Sequence, residues 1–481
     1  MSPLSPSPPL PPHKLERVKG DVQTISQPSK LRSLRRRTNA YAAARNEGRL
    51  SPILKAIAFT VLLPNEFSFL LGDLRLTLIR VIFVVLTPIL FIKVGQMFAA
   101  GVLRFLLADF LVVASVVWMC VATTVVGGIE TTLAHTAPIV LEYFGGYLAT
   151  RVLVSRRGQA LNFIRLICYA ITCVSLLGLL DTLTSSHIIH DFLGGLTGNE
   201  VKGDAEFRLG LVRASGVMDH PILYGAVCAF GVLLGMNTQF RGRRLTVFVC
   251  GLGNFLSLSA GPIQAAVLGS MLIVYDRIFE GWRDRWKIIL VTGVLGIGAI
   301  NLATNSPLNW VFGHLTFDPG SGWSRIFEWE TVGDAIARSP WVGVAYNWSN
   351  IVKTSNVFLF ASIDSLWLLW AITYGIPGAI LLALSIISAA SERINGADVS
   401  LTSGEQRLAT TLSIILWIIV FLGFTVDFWG PAFILIGILM GVRVHISDLG
   451  KRSESARRRP TSSVPVSIIA RNGSLPLSNP G

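Results

Sequence analysis

The chain has 481 residues, of which 52% are hydrophobic and only 14% are charged, with a mean hydropathy of +0.59. A soluble domain holds about a quarter charged residues, so a soluble globule, a disordered chain, a collagen and a disulfide scaffold are all excluded. The formal charge is +13, and residues 1–51 and 446–481 supply +7 and +4 of it. This surplus flanks an apolar body instead of forming a nucleic-acid surface, and no nucleic-acid motif accompanies it.

Residues 1–54 open with SPLSPSPPLPP and continue into LRSLRRRTNAYAAARNEGR. Proline and serine density predicts a disordered tail. The basic stretch fits either a membrane-surface helix or a solvated tail. No signal peptide precedes the first apolar run, because about fifty polar residues come first.

A helix needs about twenty mostly apolar residues to span a bilayer. Twelve runs qualify: 55–73, 76–95, 105–126, 138–154, 161–181, 221–238, 245–259, 262–277, 287–304, 365–389, 409–427 and 430–446. Pro64, Asn65 and Glu66 interrupt the first. The expected fold is therefore all-α, a polytopic bundle over 55–446 with about 12 membrane helices, followed by a second basic tail at 447–481. An even number of spans puts both basic tails on the cytoplasmic side. The short inner loops then carry Arg151, Arg156, Arg157, Arg241, Arg243, Arg244, Arg277, Arg283, Arg285 and Lys287, and the outer connections near 127–137, 259–262 and 428–430 carry no Lys or Arg. This charge asymmetry sets the topology. The tails also suit anionic lipid headgroups. All five cysteines lie in apolar runs without a CxxC pair, which fits small buried hydrophobes and no zinc site.

Two outer loops are long, 182–220 and 305–364, the second lying before the tenth run and holding Trp310, Trp323, Trp329, Trp341 and Trp348. Loops of this length in a compact body usually carry function. They also hold the outer cations: Lys202, Arg208 and Arg213 in the first, Arg325, Arg338 and Lys353 in the second. A guanidinium fork suits phosphate oxygens. The plain alternative is that each arginine pairs with a nearby acid such as Glu206, Glu328 or Asp334.

Three segments concentrate the polar chemistry. In EFRLGLVRASGVMDHPILYG, Pro221 suits a first helical turn, Asp219 is placed to cap it, and His220 is left at the mouth of the bundle. In GSGWSRIFEWETVGDAIARSPWVGVAYN, Arg325 shares a helix face with Glu328 or Trp329, and Ser339-Pro340 ends the helix. In SIDSLWLLWAITYGIPGAIL, Asp364 stands at the start of a span as N-cap or general base.

These segments resemble the O-antigen ligase and polysaccharide polymerase superfamily. RLGLVRASGVMDHPILYG is similar to that family's Arg-x-x-Gly…His-Pro…Gly signature, and SRIFEWETVGDAIARSPWVGVAYN to its Arg…Trp…Pro-x-x-Gly-x-Gly loop, with Ala345 in place of the second glycine. The resemblance covers roughly residues 55–445. It implies a GT-C-like, metal-independent glycosyltransferase without cofactors, working on the outer face of the bacterial inner membrane. The implied substrates are polyprenyl-diphosphate-linked glycans, with a chain-length regulator as a possible assembly partner. Arg213 and Arg325 match the family's diphosphate-binding arginines, with Arg208 and Arg338 as further candidates. Family ligases carry a His-Asn pair where this chain has Asp364-Ser365. That difference favours a polymerase over a ligase and leaves the base open among Asp364, His220 and Glu328. The family's Ser-Arg-Gly turn reads Ser259-Ala260-Gly261 here, without the arginine. A secondary transporter or glycan flippase is the alternative of another class, with Arg80, Asp109, Glu142 and Gln264 as the intramembrane polar residues it would need.

Overall fold

The computed structural model describes residues 48–71, 74–156, 158–199, 206–282, 284–304, 319–348, 363–392 and 401–458. Both tails up to residue 47 and beyond 458 lie outside the described residues, as do Lys202, Trp310 and Lys353. The described chain is almost entirely helical, with two short hairpins. Among the described residues, seven helices are long and apolar enough to cross a membrane.

Eleven of the twelve expected runs are helical over most of their length. The exception is the first. Ser51 caps a nine-residue helix α1 (Pro52–Thr60), and the chain then leaves the helix before Pro64 and pairs β1 (Ser68–Leu71) with β2 (Leu74–Thr77). The run still reaches from one end of the bundle to the other. The carbonyls of Gly48 and Arg49 accept from Asn162 and Gln159, 2.7 and 2.8 Å away, whereas the Asn65 amide donates to Asp219 at 2.6 Å. The polar interruption is thus an anchor at the far rim.

Helix α2 (Leu78–Ala99) precedes α3 (Leu107–Thr131), a π-helical turn (Thr132–Thr136) and α4 (Ala137–Leu153). Leu107–Leu153 would be about 70 Å long if straight. It folds back instead at Gly128, whose φ is +78°, so Thr123 and Thr136 meet side by side at 2.9 Å. The sequence expectation of two runs here describes the two arms. Next come α5 (Gln159–Thr184), α6 (Ile188–Thr197), and a tight hairpin of β3 (Phe207–Arg208) and β4 (Leu211–Val212). Leu209 and Gly210 both have positive φ at its turn, as a type I′ turn demands.

The remaining helices are α7 (Pro221–Asn237), α8 (Arg243–Leu256), α9 (Ala260–Ile278), α10 (Arg285–Ala303), α11 (Pro319–Arg338), α12 (Leu366–Ser391), α13 (Ser403–Leu422) and α14 (Gly430–Arg458). The last is the buried axis and runs on past the expected end at 446. Glycines bring it against α4: a Cβ added to Gly437 would lie 2.3 Å from the Tyr143 carbonyl. Small residues at such contacts let membrane helices pack backbone to backbone. Exposed apolar residues on α2 (Val84, Val85, Ile92) and α10 (Leu290, Val291, Leu295) make the belt that acyl chains would cover.

The two ends of the bundle differ. One end, at the N-termini of α5 and α13, is closed by ion pairs and amides, including Arg151 with Asp109 and Asp448. The other end gathers the termini of α5, α7, α8, α12, α13 and α14, and the candidate residues lie there.

Candidate functional site

The segment between α6 and α7 is stitched to that end by backbone bonds. Asp181, at the end of α5, accepts from the amides of Ser215 and Gly216 at 2.9 and 2.8 Å and sits beside His187, itself 3.0 Å from the Ser215 hydroxyl. The Ala214 amide donates to the Leu256 carbonyl at 3.0 Å. His190 closes a neighbouring contact between Glu66 and the Met218 carbonyl.

These ties fix two arginines over the last turn of α8. Arg213 donates from Nε to the Ser257 carbonyl at 3.2 Å and from Nη1 to Glu206. Arg208 donates from Nη1 to the Leu258 carbonyl at 2.9 Å. Cations are favoured at a helix C-terminus, where carbonyls are unpaired. Arg213 is only 6% exposed, and burial holds its pKa below the usual arginine value, against the pull of Glu206 and Asp364.

Helix α11 delivers the next group. Arg325 and Glu328, one turn apart as the spacing predicts, are both buried, and Trp329 beside them stacks on Phe424. Nε of Arg325 is buried without a hydrogen-bond partner among the described residues. Burial lowers the Arg325 pKa, opposed first by Asp364 and then by Glu328. Glu328 accepts from the Ser365 amide at 3.2 Å at the start of α12. Burial and the charge of Asp364 push its carboxyl up to about 7, against bonds from the Ser365 and Asp364 amides and the charge of Arg325.

The position of α11 depends on a break in α12. At Gly375, φ is +79° and the helix kinks two residues before Pro377. Segment 340–345 repairs the broken ladder: the Val344 amide donates to the Ile372 carbonyl, and the Ile376 amide to the Pro340 carbonyl, each at 2.8 Å. The Trp118 indole takes the Tyr374 carbonyl at 2.9 Å. Freed backbone groups inside a membrane need such partners. Gly343 and Ala345 both adopt positive φ in this segment, so the alanine occupies a conformation that favours glycine.

Three expectations need correction. Asp364 does not cap α12, because Ser365 does, its hydroxyl accepting from the Leu368 amide at 3.4 Å. Asp219 does not cap α7. His220 does so through Nδ1, 3.1 Å from the Ile222 amide, and Asp219 is turned to Asn65. Arg338 is exposed in the last turn of α11, about 20 Å along the helix from Arg325, and is not brought to the group. Arg208, Arg213, Arg325, Glu328 and Asp364 are brought together, with Asp364 the charge felt by both buried arginines and by Glu328. His220 joins from the side, its Nε2 lying 3.6 Å from Glu206.

One short loop escaped the sequence reading. The connection between α13 and α14 holds Asp427, Phe428 and Trp429. Burial pushes the Asp427 carboxyl up to about 7, opposed by its bond from the Phe428 amide and reinforced by Asp364. Trp429 lies against His220, with ring centroids 6.0 Å apart. The available signal was a carboxylate and an indole together between two apolar runs. Among the described residues, no three of His, Cys, Asp or Glu are grouped to hold a metal ion.

No protein-family model matches the chain, and no curated protein does either.

Proposed function

We propose that this protein is a membrane glycosyltransferase that polymerises polyprenyl-diphosphate-linked oligosaccharide repeats into exopolysaccharide or O-antigen on the periplasmic face of a bacterial inner membrane. In this reading the twelve runs are crossings of a GT-C-like bundle, the basic tails are cytoplasmic, and a chain-length regulator is a natural partner. The observation that carries it is the meeting of Arg208, Arg213 and Arg325 at one end of the bundle. Arg208 and Arg213 share one segment, and Arg325 comes from another more than a hundred residues along the chain. Two of them are over nine-tenths buried, and one keeps a buried donor without a protein partner among the described residues. Buried cations and unsatisfied donors are costly unless a ligand uses them.

A lipid diphosphate suits this arrangement. Its oxygens would take the guanidinium forks, and the charge that grows on the leaving diphosphate would be stabilised there. An acceptor hydroxyl on a second lipid-linked glycan attacks the anomeric carbon, and the bond from that carbon to the diphosphate oxygen breaks. The hydroxyl proton passes to Glu328, whose pKa of about 7 suits a general base. His220 is the weaker candidate, because its Nδ1 is committed to the α7 cap. Asp364 sets the charge around Glu328 and the arginines.

Transfer to a lipid A core is the second reading within this chemistry. The Asp364-Ser365 pair favours the polymerase, since Ser365 is committed as a cap and no imidazole stands at that position. Transport finds less support. Arg80 and Glu142 pair at 2.8 Å, and Asp109 pairs with Arg151 at 3.0 Å, leaving these charges in closed contacts instead of a relay.

Arg213→Ala and Arg325→Ala should each abolish polymer while leaving the protein in the membrane, with single lipid-linked repeats accumulating. Polymer of normal length from a strain carrying both changes refutes the diphosphate site.

A further inference from the structure

We propose that Trp429, with His220 and Glu206 beside it, forms a sugar-binding subsite that holds the saccharide nearest the diphosphate. The inference rests on the reading above only for where the diphosphate lies. Three contacts lead outward from the cationic group. Arg213 is paired with Glu206, Glu206 lies 3.6 Å from His220, and His220 packs edge-on against the Trp429 indole at an interplanar angle of 61°. A lipid diphosphate held at Arg213 therefore has its first sugar within reach of this row.

The chemistry of the row fits a pyranose. An indole face packs against the C–H face of a sugar ring, and a carboxylate and an imidazole nearby can take its hydroxyls. Binding sites for polar ligands commonly combine an aromatic wall with a few placed polar groups. Openness points the same way. Trp429 is 38% exposed, and the side chains of His220 and Glu206 are 30% and 47% exposed. Arg213 and Arg325 behind them are almost closed off.

A tryptophan at the end of a membrane helix ordinarily anchors the interface, with its N–H in the headgroup region. Trp429 has protein neighbours as well: His220 lies against its ring, and the Asp219 carboxylate, which accepts from the Asn65 amide at 2.6 Å, is close enough to sense it. The two segments that would supply the subsite, 206–220 and 425–430, also hold Arg213 and Asp427, so sugar and diphosphate would be positioned by the same pieces of backbone.

The test uses the full chain in lipid nanodiscs with two probes: bare polyprenyl diphosphate, and polyprenyl-diphosphate-linked oligosaccharide extracted from cells lacking the gene. The wild type should bind the glycolipid more tightly. Trp429→Leu should weaken glycolipid binding about tenfold, the scale of one aromatic contact, and leave the bare lipid unchanged, which also certifies the fold. Trp429→Tyr should keep most of the affinity. Equal weakening for both probes, or no weakening for either, overturns the subsite, as does a wild type that binds both probes equally. If the wild type ignores the bare lipid yet binds glycolipid in a Trp429-dependent way, the subsite stands and the diphosphate reading fails.

Discussion

Replacing Glu328 by glutamine separates charge from shape at the proposed base. The amide oxygen can still accept from the Ser365 amide, as Glu328 does at 3.2 Å, so the entry to α12 keeps its bond. What disappears is the proton acceptor. With a carboxyl pKa of about 7, roughly a tenth of the wild-type enzyme carries ionised Glu328 at pH 6 and roughly nine-tenths at pH 8. A base works deprotonated, so the turnover rate should rise about tenfold across that interval and then level off. Glu328→Gln should lose about 10²–10⁴-fold in rate and lose this rise as well. The assay is consumption of lipid-linked repeats in proteoliposomes under saturating substrate, with pH set on the active face. A variant that keeps more than a third of the rate, with the same midpoint near 7, refutes Glu328 as base and points to Asp427, whose carboxyl lies in the same range.

Asp364→Asn should move the midpoint of that pH profile downward, because the Asp364 charge raises Glu328; an unmoved midpoint means the two carboxylates do not sense each other. At the opposite end, Arg151→Met leaves Asp109 and Asp448 buried without their cation. About 3–5 kcal/mol of stability should be lost, visible as a large drop in the melting temperature of the solubilised protein. Ala345→Gly should be neutral or stabilising by about 0.5–1 kcal/mol, because the backbone there has φ +52° and glycine relieves the strain. A clear fall in melting temperature would contradict that account.

Much of this architecture was legible in the sequence because lipid removes alternatives. Only helices satisfy their own backbone in a bilayer, so apolar length alone locates most of them. The rule failed at residues 55–73, where Asn65 and Glu66 are required at the rim by Asp219 and His190. A sequence shows that the run is interrupted; it does not show that the interrupting side chains have partners more than 120 residues away. That Arg325 and Glu328 share one helix face was readable because helical spacing is local. The approach of Arg213 to Asp364 was not, since it joins two segments more than a hundred residues apart in the chain. Capping was misassigned at both Asp364 and Asp219 for one reason. The residue adjoining each aspartate made the cap, and long-range partners took the carboxylates. Asp427 and Trp429 fall on either side of the seam between the run 409–427 and the connection 428–430, where the only sequence mark is an absence of Lys and Arg.

The contrast between the two ends of the bundle argues for where function lies. Arg151 uses Nε, Nη1 and Nη2 on Asp109, Asp448 and the Arg104 carbonyl. Arg443 likewise spends all three nitrogens on Ser413, Ser447 and the Glu392 carbonyl. These are arginines whose hydrogen bonding the fold itself completes, and a buried cation so completed is structural. Arg325 is equally buried, but its Nε has no such partner, and the Trp329 N–H one turn along the same helix is also buried and unmatched among the described residues. A fold selected for stability alone would match or replace such donors, as it did for Arg151 and Arg443; at that end only a single Nε, that of Arg165, is left likewise among the described arginines, and its Nη1 is held by Asn162 at 2.8 Å. Two unmatched donors on one face of α11, beside carboxyls poised near neutrality, are what an acceptor-rich anion would complete.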